Sequence, residues 1–185
     1  MSQPLRALAM LTSASLACLA LTSCGADTVE PAQSPTPSTE FRLTSPDVDA
    51  DGVVPTTAIG SFGSYCDGEN RSPALAWTDA PAGTVSFTVL MVDASYPHWA
   101  VMNIPATATG LPSAENGEVT EGIVGTSIAG PGGYVGPCVE GHSYVYTVYA
   151  LDQELEATQA TTVVEAEGLM QGHILAEASL TTRRE

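Results

Sequence analysis

The chain has no lysine, and its five basic residues, all arginine, stand against 21 acidic ones, for a formal charge of −16. Phosphate backbones need clustered cations, so nucleic-acid binding is excluded. Adhesion to an anionic membrane through surface charge is excluded for the same reason. Any anion held here must be held by local donors, because the overall field repels it. Signature motifs of common hydrolases are also missing: there is no GxSxG elbow, no HExxH metal site and no CxxC. No serine is marked as a nucleophile, although His98 or His142 with Asp93 imitates part of a triad. The chain therefore reads as a non-enzyme, with no catalytic residue, metal site or cofactor expected. Long apolar runs are scarce as well. Ala7 to Leu21 is shorter than a spanning helix usually needs.

That run does have the form of a signal h-region, with Arg6 as the positive n-region before it. It ends in Leu21-Thr22-Ser23-Cys24, which resembles the lipobox of bacterial lipoproteins. The alternative is an ordinary secretory signal with an incidental Cys24. The resemblance implies cleavage before Cys24 and acylation of that cysteine with palmitate-type chains, two or more of which anchor a protein stably. Residues 1–23 are thus expected to be a lipoprotein signal peptide. Residues 24–40 hold Pro31, Pro35 and Pro37 among Ser and Thr, and read as a disordered tether. Residues 41–185 are the domain. Its expected place is the cell membrane, lipid-anchored, on the extracytoplasmic face. Of the four cysteines, Cys18 leaves with the signal and Cys24 carries lipid. Cys66 and Cys138 remain, and export favours a disulfide between them. A metal pair is the alternative, but neither has ligand-like spacing to a histidine.

Within the domain, Phe41 to Ser45 alternates and predicts a first strand. Asp47-Val48-Asp49-Ala50-Asp51-Gly52 starts like a calcium loop, but position 12 is Ala58, so an acidic turn is expected. Tyr65 to Pro73 is turn-rich, Ala74 to Trp77 is a short strand, and Val85 begins a longer one. Val89-Leu90-Met91-Val92-Asp93 and His98-Trp99-Ala100-Val101-Met102-Asn103-Ile104-Pro105 form two apolar runs around a break that contains Pro97. As neighbouring strands they put Asp93 and His98 at one sheet edge, either as the wall of a polar site or as a solvated hairpin end. Ala106 to Gly133 reads as a long loop. Gly132 to Cys138 is glycine-rich, and its N–H groups could form a small anion nest. The plain turn is the other reading. The strand ending at Leu151 follows. Its period of two puts His142, Tyr144, Tyr146 and Val148 on one face. Thr162-Val163-Val164-Glu165 is a capping box. The helix it opens has an apolar face of Val163, Val164, Leu169, Met170 and Ile174, with His173 packed within it. Ala178 to Thr182 returns as a last strand.

Four ordered segments then carry a resemblance. Cys66-Asp67-Gly68-Glu69-Asn70-Arg71-Ser72-Pro73-Ala74-Leu75-Ala76-Trp77 resembles the DGxNxSPxLxW signature of the phosphatidylethanolamine-binding protein family, in its bacterial Raf-kinase-inhibitor-like (YbhB/YbcL) branch. Asp93 with His98-Trp99 and Asn103-Ile104-Pro105 resembles that branch's D…HWxxxNIP. Gly136-Pro137-Cys138 with His142, Tyr144 and Val148-Tyr149-Ala150-Leu151 resembles GPCPP…HxYxFxVYAL. Gly172 to Leu180 resembles its C-terminal xHxLAxAxL. The resemblance implies a mainly β fold with a large central antiparallel sheet, a smaller sheet and peripheral C-terminal helices. It also implies a pocket at the sheet edge built from Asp93, His98, Gly136, Pro137, His142 and Tyr144. Two departures stand out. The loop from Asp93 to His98 is short, which implies a more open pocket. Cys138-Val139-Glu140 replaces CPP and puts an acid near the rim.

The expected function is binding of a small anionic or zwitterionic ligand, of phosphate or lipid-headgroup type, at the membrane. The alternative is inhibition or modulation of a partner protein, such as a kinase or protease, through the pocket rim. Mass spectrometry of the mature protein is expected to find an acylated N-terminal Cys24. An unmodified terminus, or release of all the protein in soluble form, counts against the anchor.

Overall fold

The computed structural model describes residues 40–94 and 96–185. The predicted signal segment, Cys24 and the tether up to residue 39 lie outside the described residues, as does Ser95. The strands in chain order are β1 (Arg42–Thr44), β2 (Arg71–Ser72), β3 (Leu75–Thr78), β4 (Ser86–Asp93), β5 (Tyr96–Pro105), β6 (Gly110–Leu111), β7 (Ala114–Glu115), β8 (Ile123–Val124), β9 (Thr126–Ser127), β10 (Gly130–Pro131), β11 (Ser143–Leu151) and β12 (Ile174–Arg183), with one helix, α1 (Val163–Met170), before the last.

The strands pair antiparallel into a five-stranded sheet ordered β12-β11-β4-β5-β8 and a three-stranded sheet ordered β1-β3-β6. Two short ribbons, β2-β7 and β9-β10, complete the set. One face of the large sheet presents Phe87, Val89 and Met91 with Tyr144, Tyr146 and Val148, and packs on Leu43, Leu75, Trp77 and Leu111 of the smaller sheet. The other face presents Leu90, Ala100, Met102 and Leu151 to Val163, Ala166 and Met170 of α1. Both faces are covered, which is why β4 reads as an unbroken apolar run and not as an alternation. In β11 the predicted face of Tyr144, Tyr146 and Val148 is fully buried.

Several expectations change. Ala106 to Gly133 is not one loop: it carries β6 to β10, strands of two residues each, too short to show a period. The break between the two apolar runs is also shorter than the sequence suggests. Asp93 pairs with Tyr96, so Pro97 and His98 lie inside β5. The capping box is formed, with Thr162 Oγ1 accepting from Glu165 N at 3.2 Å and Glu165 Oε2 accepting from Thr162 N at 2.8 Å. Those bonds hold the Glu165 carboxyl below its ordinary pKa. The helix, however, buries Val163, Ala166 and Met170, while Val164 points to solvent and Ile174 belongs to β12. His173 is not packed in a helix: it sits in the turn before β12 with Nδ1 at 2.9 Å from Asp152 Oδ1. The last strand runs from Ile174, not Ala178. In the acidic turn, Asp49 Oδ1 accepts from the amides of Asp51 and Val53, and Asp47 Oδ2 from that of Ala74. Its carboxylates thus hold backbone.

Deep in the first core, Tyr134 and Tyr146 share a 2.8 Å hydroxyl contact, and Tyr134 donates to the Ala58 carbonyl at 3.1 Å. Burial pushes both phenols above their ordinary value of 10.0. The unfolded chain ionises these groups near pH 10 and the folded one does not, so folded stability is full below that pH and falls as pH rises above it. Absorbance titration is expected to leave two tyrosines un-ionised until the protein unfolds, and Tyr146→Phe should flatten the alkaline loss.

Candidate functional site

The site forms where β4, β5 and β11 end together. Register puts Tyr144 of β11 beside Asp93 of β4, and Asp93 beside Tyr96 of β5. Pairing slips between Met91–Trp99 and Val92–Pro97, which leaves His98 as the extra residue of a bulge. A bulge re-aims side chains. Here it turns His98 to the side that Asp93 and Trp99 share, instead of the helix side that strict alternation would give.

Asp93 is 4% exposed and His98 is 5% exposed. His98 Nδ1 is 2.7 Å from the Val135 carbonyl, which can only accept, so that nitrogen carries the proton. Its Nε2 faces Asp93 Oδ1 at 3.6 Å. Asp93 Oδ2 is 3.1 Å from His142 Nδ1, and the His142 side chain is 48% exposed. Its Nε2 is left for the cavity side. Among the described residues, Asp93 Oδ1 has no hydrogen-bond partner. Tyr144 packs edge-on to His98 with ring centroids 5.1 Å apart.

The sequence-predicted residues thus come together, but their roles divide. Asp93, His98, His142, Tyr144 and Gly136 line one cavity of about 370 Å³. Pro137 does not line it: its carbonyl accepts from Gly60 N at 3.2 Å. The expected backbone nest is already engaged. Gly136 N donates to Asn70 Oδ1 at 2.9 Å, and the amides of Cys138 and Val139 donate to the Tyr144 hydroxyl at 3.2 and 2.9 Å. Val135 N donates to the His98 carbonyl. Donors for a ligand must therefore come from side chains, His142 first.

Asn70 was not read as a site residue, yet it places the wall. It sits at φ 53°, a left-handed conformation that asparagine tolerates. Its Oδ1 holds Gly136, and its Nδ2 holds the Tyr134 carbonyl at 2.8 Å and Asn116 Oδ1 at 3.1 Å. The mouth was also missed. Phe62, Tyr65, Tyr96, Ile128 and Val139 are exposed large apolar residues, and all line the cavity. They come from separate loops and a hairpin, so no periodicity announces them. The short hairpin after Asp93 was the one visible signal.

Comparison with known proteins agrees with this architecture. A model described as phosphatidylethanolamine-binding protein matches residues 44–185. The chain belongs to the phosphatidylethanolamine-binding protein family. It is 39% identical over 134 residues to the UPF0098 protein YbhB of Escherichia coli K12, covering 62% of this chain and 82% of that one. To a UPF0098 protein of Methanothermobacter thermautotrophicus it is 36% identical over 125 residues, covering 62% and 83%. The crystal structure of E. coli YbcL superposes with a TM-score of 0.72 at 29% identity, covering 79% of this chain and 98% of that one. A homologue from Chlamydia trachomatis, CT736, gives 0.69 at 26% identity, covering 80% and 99%. These relatives place the chain in the YbhB/YbcL branch of the family.

In this family member Cys66 and Cys138 are joined, with Cα atoms 5.4 Å apart and a sequence separation of 72. The bond ties the Phe62–Tyr65 side of the mouth to the Val139 side. Closing so long a loop contributes about 4 kcal/mol in the chain-entropy model. Replacing both cysteines by alanine is expected to lower unfolding stability by about that amount. Chemical denaturation checks it, and an unchanged midpoint would exclude the bond as a stabiliser.

Proposed function

We propose that the chain is a lipid-anchored, extracytoplasmic binding protein for a small anionic or zwitterionic ligand of phosphate or lipid-headgroup type. The observation that carries the reading is the Asp93 carboxylate held between His98 and His142 at the floor of an otherwise apolar pocket. Such pockets, apolar with a few convergent polar groups, bind and orient small molecules. A protonated His142 donates from both nitrogens, one to Asp93 and one toward a phosphate or carboxylate oxygen. Asp93 orients that histidine and offers negative charge to an amine, which suits a zwitterion. The apolar mouth suits whatever carries the headgroup.

A role without chemistry is supported by the lining. Cys138 is disulfide-bonded, and the Tyr144 hydroxyl already meets two amides. No serine or threonine lines the cavity among the described residues. The disulfide and the Leu21-Thr22-Ser23-Cys24 motif support an exported, anchored protein.

Calorimetry or NMR titration with phosphoethanolamine, phosphate and acetate tests the reading. Saturable shifts are expected at His142 and Tyr144, strongest with phosphoethanolamine. They should weaken about tenfold in His142→Ala, and Asp93→Ala should reduce the preference for the zwitterion. Absence of any saturable shift at these residues would overturn it.

A further inference from the structure

The pocket does not end at its mouth. A second depression of about 630 Å³ adjoins it and shares Phe62 and Ala129 with it. Glu69, Glu115 and Glu118 line this groove, and all three are exposed. Among the described residues none of them takes part in an ion pair. The basic residue on the adjoining ribbon is Arg71, opposite Glu115 in the β2–β7 register, and it forms no ion pair with it. No basic side chain lines the groove itself.

The geometry points to one docking surface, made of the pocket mouth and this acidic groove, that takes an extended basic segment of a partner protein. Three observations converge. The first is charge: a chain of −16 draws cationic partners and repels anionic ones, and the groove carries unpaired carboxylates at the place of contact. The second is the collar. Phe62, Tyr65 and Tyr96 bring exposed aromatic rings of the kind that attract cations, and the apolar mouth suits the aliphatic stem of arginine or lysine. The third lies beneath the collar, where the side chain of Asp93 is 5% exposed and Oδ1 has no partner. A guanidinium or ammonium entering the pocket approaches the Asp93 carboxylate, which only the two histidines face, while further basic residues of the same segment lie over Glu69, Glu115 and Glu118. An acidic or phosphorylated peptide meets like charge along the same path.

This inference shares Asp93 and the mouth with the headgroup reading, and what it adds is the groove carboxylates, which line a separate depression. It is tested on the full chain by fluorescence anisotropy with short Gly/Ser peptides carrying spaced arginines. The same peptides with citrulline in place of arginine, and spermidine as competitor, complete the set. The arginine peptide should bind saturably and the citrulline peptide should not. The triple variant Glu69→Gln, Glu115→Gln, Glu118→Gln is expected to weaken binding about tenfold. Phe62→Ser, on the ridge between the two depressions, should weaken it too. A control that removes equal charge elsewhere, Glu154→Gln, Glu156→Gln, Glu177→Gln, should leave binding nearly unchanged. Equal loss in the control, no saturable binding, or competition by spermidine as effective as by unlabelled peptide would overturn the proposal. Phosphoethanolamine titration of the groove variant separates the two readings. The variant should keep normal headgroup binding; on the unmutated chain, headgroup binding without saturable peptide binding removes only this inference, and the converse removes only the other.

Discussion

Gly136 has no room for a side chain. A Cβ there would run into the Ala58 carbonyl and the backbone of Ile59 and Gly60. On the other side of the same contact, a Cβ on Gly60 would meet the sulfurs of Cys138 and Cys66 at 2.7 and 2.9 Å. Backbone therefore lies directly on backbone at this point, and the disulfide and Asn70 lock it there. Everything that makes the pocket follows from that contact. It sets the Val135 carbonyl that fixes the His98 tautomer, the two amides that meet the Tyr144 hydroxyl, and the Val139 side of the mouth. Residues 134–139 thus form a wall tied at Gly136, Cys138 and Val139.

The opposite wall owes its form to the hairpin and the bulge. Asp93 and Tyr96 pair directly. Tyr96 is left 60% exposed at the mouth. The bulge then brings a second histidine to the same carboxylate. Among the described residues Asp93 faces two imidazoles and forms no ion pair with an arginine.

Charge is arranged in the same spirit on the surface. Carboxylates in the turn at Asp47 to Asp51 and in the helix cap hold backbone amides, whereas those beside the pocket are left open to solvent. The general field therefore repels anions and favours cations at this edge of the sheet.

The sequence by itself determined β4, β11 and most of β5, the capping box and the family. Each rests on neighbours in the chain: alternation in β11, an unbroken apolar run in β4, and Thr162 three residues before Glu165. It also determined that Asp93, His142 and Tyr144 stand beside a turn or hairpin, whereas His98 lies inside β5 and reaches the site through the bulge. It did not determine the helix face, since Ala166 outcompetes the larger Val164 by position alone. Nor did it determine what the glycines do. Local chemistry allowed Gly136 to offer its N–H to a ligand, and only the approach of Asn70, 66 residues away, engages it. The apolar collar is likewise a product of tertiary structure. Phe62, Tyr96 and Ile128 share no period and no element, and they meet because three separate connections end at the same edge of one sheet.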